Sequence, residues 1–396
     1  MMTEPGSFAQ KTLNERLPAI VHRIIAENDF PPAIVVNLET LLQDVVAGTV
    51  RSLNDDAADG ATWADDLTPY LGKSWLDVPW FFAEVYFFRR LLEATHYFQP
   101  GDWQAVDPFH TQKQAGLKAA IADIRTLSTL VKGAIAPAPD QSSVGLSVLI
   151  YSVLWGNQAD LSLRPGETAA TVQSSINAHT QQTHILVDDT PAVLAWLEGR
   201  SHPRIDVVAD NAGFELVCDL CLIDVLLTNQ IVNTVHLHLK SHPIFVSDAI
   251  VADLYATLAM LSNDTHPDVQ SLAARLRSHV DYDRLCLGHD PFWTAPRVFW
   301  QMPRSLQQEL AQADLVVVKG DANYRRLLGD CHWPFTTSFA DIVCYFPTPL
   351  LALRTLKSEV VAGLQQTQID ALSHEDTTWL TDGQWGLIQF VPAITQ

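Results

Sequence analysis

Polar side chains follow three apolar segments of the sequence, each at the point where the apolar run gives way to a helical pattern. Asp210 and Asn211 follow the first segment, Asp248 follows the second, and Lys319 and Asp321 follow the third. One acidic residue before a helix is ordinarily a helix cap, but three such positions favour a shared site over three separate caps. In an open α/β sheet, ligands bind at the carboxyl ends of the strands. We therefore predict that these side chains come together.

The residue types at these positions suit a hard divalent cation. Asp210, Asn211 and Asp248 offer carboxylate and amide oxygens, which are the ligands that Mg²⁺ and Mn²⁺ prefer. Three protein ligands leave coordination positions open for water and phosphate, as a catalytic metal site requires. Lys319 and Lys357 would add positive charge around a phosphoryl group. The pattern indicates metal-assisted hydrolysis of a phosphomonoester.

The C-terminal two thirds of the chain carry the pattern of a layered α/β domain. Short apolar runs alternate there with stretches of helical spacing, which predicts a three-layer α/β/α domain with a largely parallel sheet. We assign residues 141–396 to this domain, which would hold the metal and the catalytic site. A further short strand at 243–248 is predicted to lead into a helix over 249–261. The other predicted strands are residues 183–188, 205–210, 234–239, 315–318 and 342–346.

The N-terminal third shows helical spacing without the alternation of strands. We therefore predict an all-helical domain over residues 1–140. A stretch rich in proline and small residues at 134–143 indicates the linker between the two domains. The predicted helices include residues 17–25, 34–46, 80–94 and 114–131.

The charge balance of the chain limits its partners. Forty-five acidic residues against 25 lysines and arginines give a formal charge of −20, which disfavours binding to nucleic acid or an anionic membrane. A phosphorylated ligand must then be attracted locally, by a divalent ion together with Lys319, Arg325, Arg354 and Lys357. At short range such charges outweigh a screened global field. If the ligand is a small phosphorylated metabolite, these local charges would bind it; the sequence does not indicate the oligomeric state.

The cysteines and the N-terminus indicate the compartment. Five cysteines are an odd and sparse set, which argues against a disulfide framework and favours a reducing environment. The sequence has no segment with the character of a signal peptide, and no stretch approaches the roughly 20 apolar residues of a membrane span. We predict a cytoplasmic protein.

Several blocks of sequence occur together in one order. They are Trp155-Gly156-Asn157-Gln158-Ala159-Asp160, Asp210-Asn211-Ala212-Gly213-Phe214-Glu215, Lys319-Gly320-Asp321-Ala322-Asn323-Tyr324-Arg325 and Arg354-Thr355-Leu356-Lys357, preceded by an aromatic block at 80–90. This set resembles the damage-control phosphatase family, metal-dependent enzymes that hydrolyse small phosphorylated metabolites. The last block resembles the Arg-Thr-x-Lys signature of one of its subfamilies. The resemblance covers most of the chain.

The resemblance implies a role for individual residues. Asp210, Asn211 and Asp248 would bind the metal, which would be Mn²⁺, Mg²⁺, Co²⁺ or Ni²⁺. Asp210, Asp248 and Asp321 would be the catalytic residues, and the substrates would be sugar phosphates such as fructose phosphates. The resemblance does not decide whether an aspartate attacks phosphorus or only holds the ion that activates a water. The further residues implied in substrate binding are Asn157, Glu215, Asp321, Asn323, Tyr324, Arg325 and Lys357.

Two other functions remain as alternatives. Some relatives of this family are described as S-adenosylmethionine-dependent carboxyl methyltransferases acting on protein glutamate. The sequence disfavours that reaction, because it has no Gly-x-Gly-x-Gly loop after a first strand and the Asp210, Asn211 and Asp248 set has no evident use in methyl transfer. The other alternative is a non-catalytic protein that binds a metal or a metabolite. Metal-dependent turnover would distinguish an enzyme from such a protein.

Overall fold

The computed structural model of the protein describes residues 8–135, 142–156 and 183–392. Seven strands form its central sheet. In chain order they are β1 (Ile185–Asp188), β2 (Arg204–Val208), β3 (Thr234–His238), β4 (Leu285–Gly288), β5 (Leu315–Lys319), β6 (Leu350–Thr355) and β7 (Gly386–Val391). Their order in the sheet is β1-β7-β6-β5-β2-β3-β4. Every neighbouring pair is parallel except β6 and β7. The predicted largely parallel sheet is confirmed.

Helices precede the sheet and connect its strands. In the N-terminal part they are α1 (Phe8–Lys11), a π-helical turn (Thr12–Arg16), α2 (Leu17–Glu27), α3 (Pro32–Ala47), α4 (Gly60–Leu67), α5 (Trp80–Ala94), α6 (His110–Ala119), α7 (Ile121–Ala134) and α8 (Ser142–Gly156). Those that follow are α9 (Thr190–Glu198), α10 (Phe214–Thr228), α11 (Val251–Ser262), α12 (Pro267–Asp281), α13 (Arg304–Leu310), α14 (Asp321–Leu327), α15 (Phe339–Ile342) and α16 (Gln366–Glu375). The predicted helical character of the N-terminal region is confirmed.

Alternate residues of the central strands face two different hydrophobic cores. In β5, Leu315 and Val317 pack in the core that includes side chains of α8 and α10. Val316 and Val318 pack in the core on the opposite face of the sheet. Because β5 is buried at every position, neither of its faces is exposed to solvent. The result is the predicted three-layer α/β/α arrangement, and it holds the strand ends rigidly.

A third core lies within the N-terminal helices. Its buried side chains come mainly from residues 13–109, and α5 is buried along its whole length. This core also includes Ile244, Phe245 and Val246, which belong to the loop after β3. The loop that carries Asp248 is therefore anchored in the helical region while it begins and ends in the α/β region.

Two strand predictions are wrong. Residues 342–346 are not a strand: Ile342 ends the short helix α15 and a turn follows it. Ser338 caps the start of that helix, because its hydroxyl accepts from the backbone N–H of Asp341. Residues 243–248 form a turn with only isolated bridges, and α11 begins at Val251. Pro243 has no N–H for a ladder, and two positive φ angles follow it. Apolar composition alone cannot distinguish these runs from strands.

The hydrophobic cores divide the chain earlier than the predicted linker does. Leu117, Ile124 and Val131 of α6 and α7 pack in the core of the sheet, not in that of the N-terminal helices. Most of the predicted linker, residues 136–141, lies outside the described residues. The boundary at residue 140 stays a prediction. Within the described ranges, no helix combines the length and apolarity needed to cross a bilayer.

Candidate active site

Asp210 and Asp248 are brought together by backbone pairing between two strand-end loops. Asp210 and Asn211 follow β2, and an isolated antiparallel bridge joins Asn211 to Asp248 in the loop after β3. The backbone N–H of Ala249 donates to the carbonyl of Asp210 at 2.8 Å, and that of Ala212 donates to the carbonyl of Ser247 at 2.7 Å. All three candidate metal ligands are buried. The backbone therefore sets the spacing of the two carboxylates before any ion is bound.

The turn that precedes Asp248 has an unusual backbone. Phe245 and Val246 have φ angles of 50° and 70°, a region that side chains with a Cβ rarely adopt. Phe245 also packs edge-on against Phe88 of α5, with ring centroids 5.3 Å apart. Strained backbone of this kind persists where surrounding packing over-determines it, and it concentrates at functional sites. The helical region thus helps to hold Ser247 and Asp248 in place.

The Asn211 amide has a defined orientation. Its Nδ2 donates to Glu215 Oε2 at 2.9 Å and lies 3.2 Å from Asp210 Oδ2. Its Oδ1 accepts from the hydroxyl of Ser247 at 2.7 Å. Because a carboxylate only accepts, Glu215 requires the NH₂ end of the amide on its own side. The amide oxygen is thereby directed to the side of the loop that carries Asp248.

Behind Asn211 lies a buried triad formed by Glu215, Asp219 and Lys319. The Lys319 ammonium donates to Glu215 Oε1 at 2.9 Å and to Asp219 Oδ1 at 2.7 Å. Burial raises the pKa of Asp219 to about 7, although the neighbouring ammonium acts in the opposite direction. Burial alone would lower the pKa of Lys319, but the two carboxylates outweigh it and raise that pKa. Two carboxylates thus share one cation out of contact with water.

A small cavity of about 50 Å³ opens in front of the strand ends. Four carboxylates and three cationic side chains line it, so its lining carries a formal charge of −1. A divalent ion would reverse that sign, which makes the cavity suitable for a phosphate only when a cation is also bound. The lining residues are Arg16, Trp80, Glu84, Asp210, Asn211, Phe245, Asp248, Asp321, Ala322, Arg325 and Lys357.

Arg325 is held rigidly at the wall of this cavity. Its Nε donates to Asp330 at 2.8 Å, its Nη1 donates to Glu84 at 2.9 Å, and its guanidinium lies 3.7 Å from the ring centroid of Trp80. Its Nη2 is buried and has no hydrogen-bond partner among the described residues. A fixed, desolvated donor of this kind suits a phosphate oxygen.

Asp321 presents one carboxylate oxygen to the cavity. Its Oδ1 accepts from Arg354 Nε at 2.8 Å, from the Lys357 backbone N–H at 3.1 Å and from the Ser358 hydroxyl at 3.0 Å. Among the described residues, the hydrogen bonds and the ion pair of Asp321 all involve that one oxygen. Oδ2 is therefore the atom suited to a water or a substrate hydroxyl.

The candidate ligand set fits a hard divalent ion by its chemistry. The set consists of the carboxylates of Asp210 and Asp248 and the side-chain amide of Asn211. Asp248 also lies 3.3 Å from the Lys240 ammonium. Over the described part of the chain, no group of three or more His, Cys, Asp and Glu side chains forms a metal cluster. Asn211 would therefore have to complete the set with its oxygen. Carboxylate and amide oxygens without sulfur favour Mg²⁺ or Mn²⁺.

Some of the predicted site residues converge on the cavity and others do not. Those that line it are Asp210, Asn211, Asp248, Asp321, Arg325 and Lys357. Glu215 and Lys319 lie behind Asn211 in the buried triad. Arg354 is buried and bonds Asp321 and the loop at 358–360. Asn323 donates to the carbonyl of Lys319, and Tyr324 donates to Gln389 in the core. Asn157 lies outside the described residues.

Sequence reasoning missed three residues at or behind the site. Arg16 reaches the cavity from the N-terminal helices and donates to Glu84 at 3.0 Å. No sequence signal relates these two residues, which are 68 positions apart. Lys240, beside Asp248, follows the strand β3. Asp219 had a readable signal, because it lies four residues after Glu215 on a largely apolar helix and so shares its face.

Comparison with known proteins agrees with the sequence blocks. Residues 12–372 match the family model described as the damage-control phosphatase ARMT1-like domain. The damage-control phosphatase ARMT1 of Danio rerio is 30% identical over 426 aligned residues, covering 97% of this chain and 95% of its own. That of Rattus norvegicus is 34% identical, covering 80% of this chain and 75% of its own. A crystal structure of a DUF89 family protein from Pyrococcus horikoshii covers 92% of this chain at 14% identity, with a TM-score of 0.48.

Proposed function

Because this chain belongs to the family of the damage-control phosphatase ARMT1-like domain, we propose that it is a metal-dependent phosphatase acting on small phosphate monoesters. The proposed substrates are sugar phosphates such as fructose phosphates, and the proposed ion is Mn²⁺, Mg²⁺, Co²⁺ or Ni²⁺. The observation that carries the proposal is the cavity at the strand ends, in which Asp210, Asn211 and Asp248 share one wall with Asp321, Arg325 and Lys357.

The charge of the cavity supports the metal requirement. With a formal charge of −1 on its lining, the cavity would repel a phosphate dianion. An ion held by Asp210, Asn211 and Asp248 would supply the positive charge that draws electrons from the phosphoryl oxygens. Phosphate monoester hydrolysis is among the slowest uncatalysed reactions, so stabilisation of this charge must provide much of the rate.

The chain's own residues supply the remaining functions. Arg325 would donate its Nη2 to a phosphate oxygen, and Lys357 would add a second positive charge. Asp321 would orient the attacking water through Oδ2, because Oδ1 is already occupied by Arg354 and Ser358. The water oxygen bonds to phosphorus while the ester P–O bond breaks. One water proton passes to the departing alcohol oxygen, so the products are an alcohol and inorganic phosphate.

The proposed location is the reducing cytoplasm. All five cysteines are free, and Cys218 and Cys221 are buried in α10. Burial raises the pKa of both thiols well above the usual range, so they are poor nucleophiles and weak metal ligands. A set of unpaired cysteines is typical of a protein that stays in a reducing compartment.

The test is phosphate release from a panel of sugar phosphates by chelator-treated protein, with each of the four ions added back singly. We expect turnover only with added ion, and its loss in Asp210→Asn, because the amide lacks the charge that holds the ion. Asp370→Asn is the matched control, since it changes the net charge equally at an exposed position on α16.

Failure of this test would take distinct forms. Phosphate release that survives chelation, or equal turnover by wild type and Asp210→Asn, would contradict the metal role. No release with any ion would overturn the phosphatase proposal. Incorporation of labelled methyl groups from S-adenosylmethionine would then favour the methyltransferase alternative.

A further inference from the structure

The hydrogen bonds behind Asn211 form a continuous buried chain. Asp219 Oδ1 accepts from Lys319 at 2.7 Å, Lys319 donates to Glu215 Oε1 at 2.9 Å, and Glu215 Oε2 accepts from the Asn211 amide at 2.9 Å. Lys319 therefore lies between Asp219 and Glu215, and Glu215 lies between Lys319 and Asn211. All four side chains are at most 4% exposed. A rotation of any one of them would break a charge-assisted bond out of reach of water, which is costly.

This series of hydrogen bonds ends at Asn211, the one candidate ligand whose side chain has two chemically different ends. An asparagine binds a cation through Oδ1, and its NH₂ would repel the ion. Glu215 excludes the flipped amide, because that orientation would place Oδ1 against a carboxylate. Lys319 in turn prevents Glu215 from rotating away, and Asp219 holds Lys319 from the other side. We propose that Asp219 and Lys319 are positioning residues that, through Glu215, fix the Asn211 amide in its metal-binding orientation. This inference rests on the proposed metal site.

The surroundings of Asp219 explain why it acts only on Lys319. Asp219 and Lys319 border a cavity of about 40 Å³ whose other walls are apolar, and this cavity shares no lining residue with the active-site cavity. The second oxygen of Asp219 is buried without a hydrogen-bond partner in the described part of the chain. Neither residue lines the cavity that would receive substrate. Lys319 therefore supports a ligand of the ion and does not contact phosphate.

The experiment measures the Mn²⁺ affinity of the metal-free full chain by calorimetry, without substrate. Asp219→Leu removes the contact with Lys319 and should raise the Kd for Mn²⁺ about 10- to 100-fold, as expected for the loss of a group that orients a ligand. Asp219→Asn keeps an oxygen that accepts from Lys319 and should bind Mn²⁺ within a few-fold of wild type. The double variant Asp219→Leu/Lys319→Met leaves Glu215 without a fixed partner and should be as weak as Asp219→Leu or weaker.

Asp224 offers a matched control on the same helix. It is fully buried and accepts from Arg275 at 2.7 Å, but it does not connect to Asn211. Asp224→Leu should lower the melting temperature and leave the Mn²⁺ affinity unchanged. If Asp219→Leu merely weakened the fold, it would likewise lower the melting temperature and leave the Mn²⁺ affinity unchanged.

Each other outcome overturns a different statement. Wild-type Mn²⁺ affinity in folded Asp219→Leu and in the double variant would overturn the positioning role alone. Unchanged Mn²⁺ affinity with weaker inhibition by inorganic phosphate in the double variant would make Lys319 a phosphate contact instead. No Mn²⁺ binding by wild type would overturn the metal site and this inference with it.

Discussion

At the scale of single residues, the Asp210 carboxylate lies against a backbone position that only glycine can occupy. Gly320 has a φ of 85°, and a Cβ built there would lie 1.9 Å from Asp210 Oδ2. Both its conformation and its lack of a side chain are therefore required. Since Gly320 connects β5 to α14, the same residue lets Asp321 enter the helix and lets Asp210 face the cavity.

We expect Gly320→Ala to displace the Asp210 carboxylate and to abolish metal-dependent turnover. The new methyl group cannot fit without movement of a candidate metal ligand or of its backbone. Gly72→Ala is the matched control, because Gly72 has a φ of 77° with no atom within 4 Å of the added Cβ. Each variant should lose about 1 to 3 kcal/mol from the positive φ.

Calorimetry with Mn²⁺ and phosphate-release assays check this prediction. Only Gly320→Ala should bind Mn²⁺ weakly and lose turnover. If Gly320→Ala retained wild-type affinity and turnover, the Asp210 carboxylate would not need the position that it has in the structure.

At the scale of elements, the segment after β6 carries Lys357 to the cavity and is held there by one arginine. Arg354 donates from Nη2 to the carbonyl and the hydroxyl of Ser358, at 2.9 and 3.0 Å, and from Nη1 to the carbonyl of Val360. The same guanidinium bonds Asp321 at the start of α14. Arg354 thereby joins the segment after β6 to the start of α14, the helix that follows β5. It can do so because its planar guanidinium donates several hydrogen bonds in different directions.

We expect Arg354→Lys to reduce kcat/KM by tenfold or more and to destabilise the protein by roughly 3 kcal/mol. A lysine cannot reach Asp321, Ser358 and Val360 at once, so Lys357 and Asp321 would lose their fixed positions while buried acceptors lose their donors. Steady-state kinetics with a sugar phosphate and urea unfolding measure the two effects. A variant with unchanged kcat/KM would show that Asp321 and Lys357 keep their places without Arg354.

Arg326 provides a control for the loss of a buried arginine. It donates to the carbonyls of Phe292 and Arg297, at 2.8 and 2.9 Å, and lies 4.4 Å from the ring centroid of Phe292. Arg326→Lys should also lower the free energy of unfolding. Because Arg326 does not line the cavity, kcat/KM should fall less than in Arg354→Lys.

At the scale of the whole molecule, stability below neutral pH depends on a histidine buried between the two regions. His242 follows β3 and packs edge-on against Phe98, with ring centroids 5.5 Å apart. Burial lowers the pKa of His242 from 6.5 to about 4, although a hydrogen bond to the carbonyl of Pro243 opposes this. In this pH range the unfolded chain binds more protons than the folded one. Stability contributed by neutral His242 is therefore complete above pH 6.5 and is lost as the pH falls toward 4.

We expect wild type to lose more stability between pH 7 and pH 5 than His242→Gln does. The difference should be of order 1 to 2 kcal/mol, because the glutamine takes up no proton. Urea unfolding at the two pH values measures it, and His110→Gln, at an exposed position, should behave as wild type. Equal pH dependence in wild type and His242→Gln would mean that His242 takes up its proton over the same pH range in the folded and the unfolded protein.

The sequence by itself determined the layered α/β class and the helical N-terminal region. Both follow from local periodicity, since the strands β2, β3 and β5 are short continuous apolar runs and α2, α3 and α5 have helical spacing. The positions of Asp210, Asn211 and Asp321 after strands were predictable for the same reason. The short strand β4 and the strands β6 and β7 were not predicted, because their runs resemble helix or loop locally and become strands only by pairing.

Only the tertiary structure decided which polar side chains face the cavity. Arg16, Glu84 and Arg325 come from three distant segments and meet through two ion pairs, at 3.0 and 2.9 Å. Lys319 and Arg354 looked like phosphate contacts by charge, but in the structure Lys319 bonds buried carboxylates and Arg354 bonds Asp321 at the cavity. A strand's side chains alternate between two faces, and which face meets a ligand depends on the neighbouring strands and helices. That information lies in the packing of the chain and not in its local pattern.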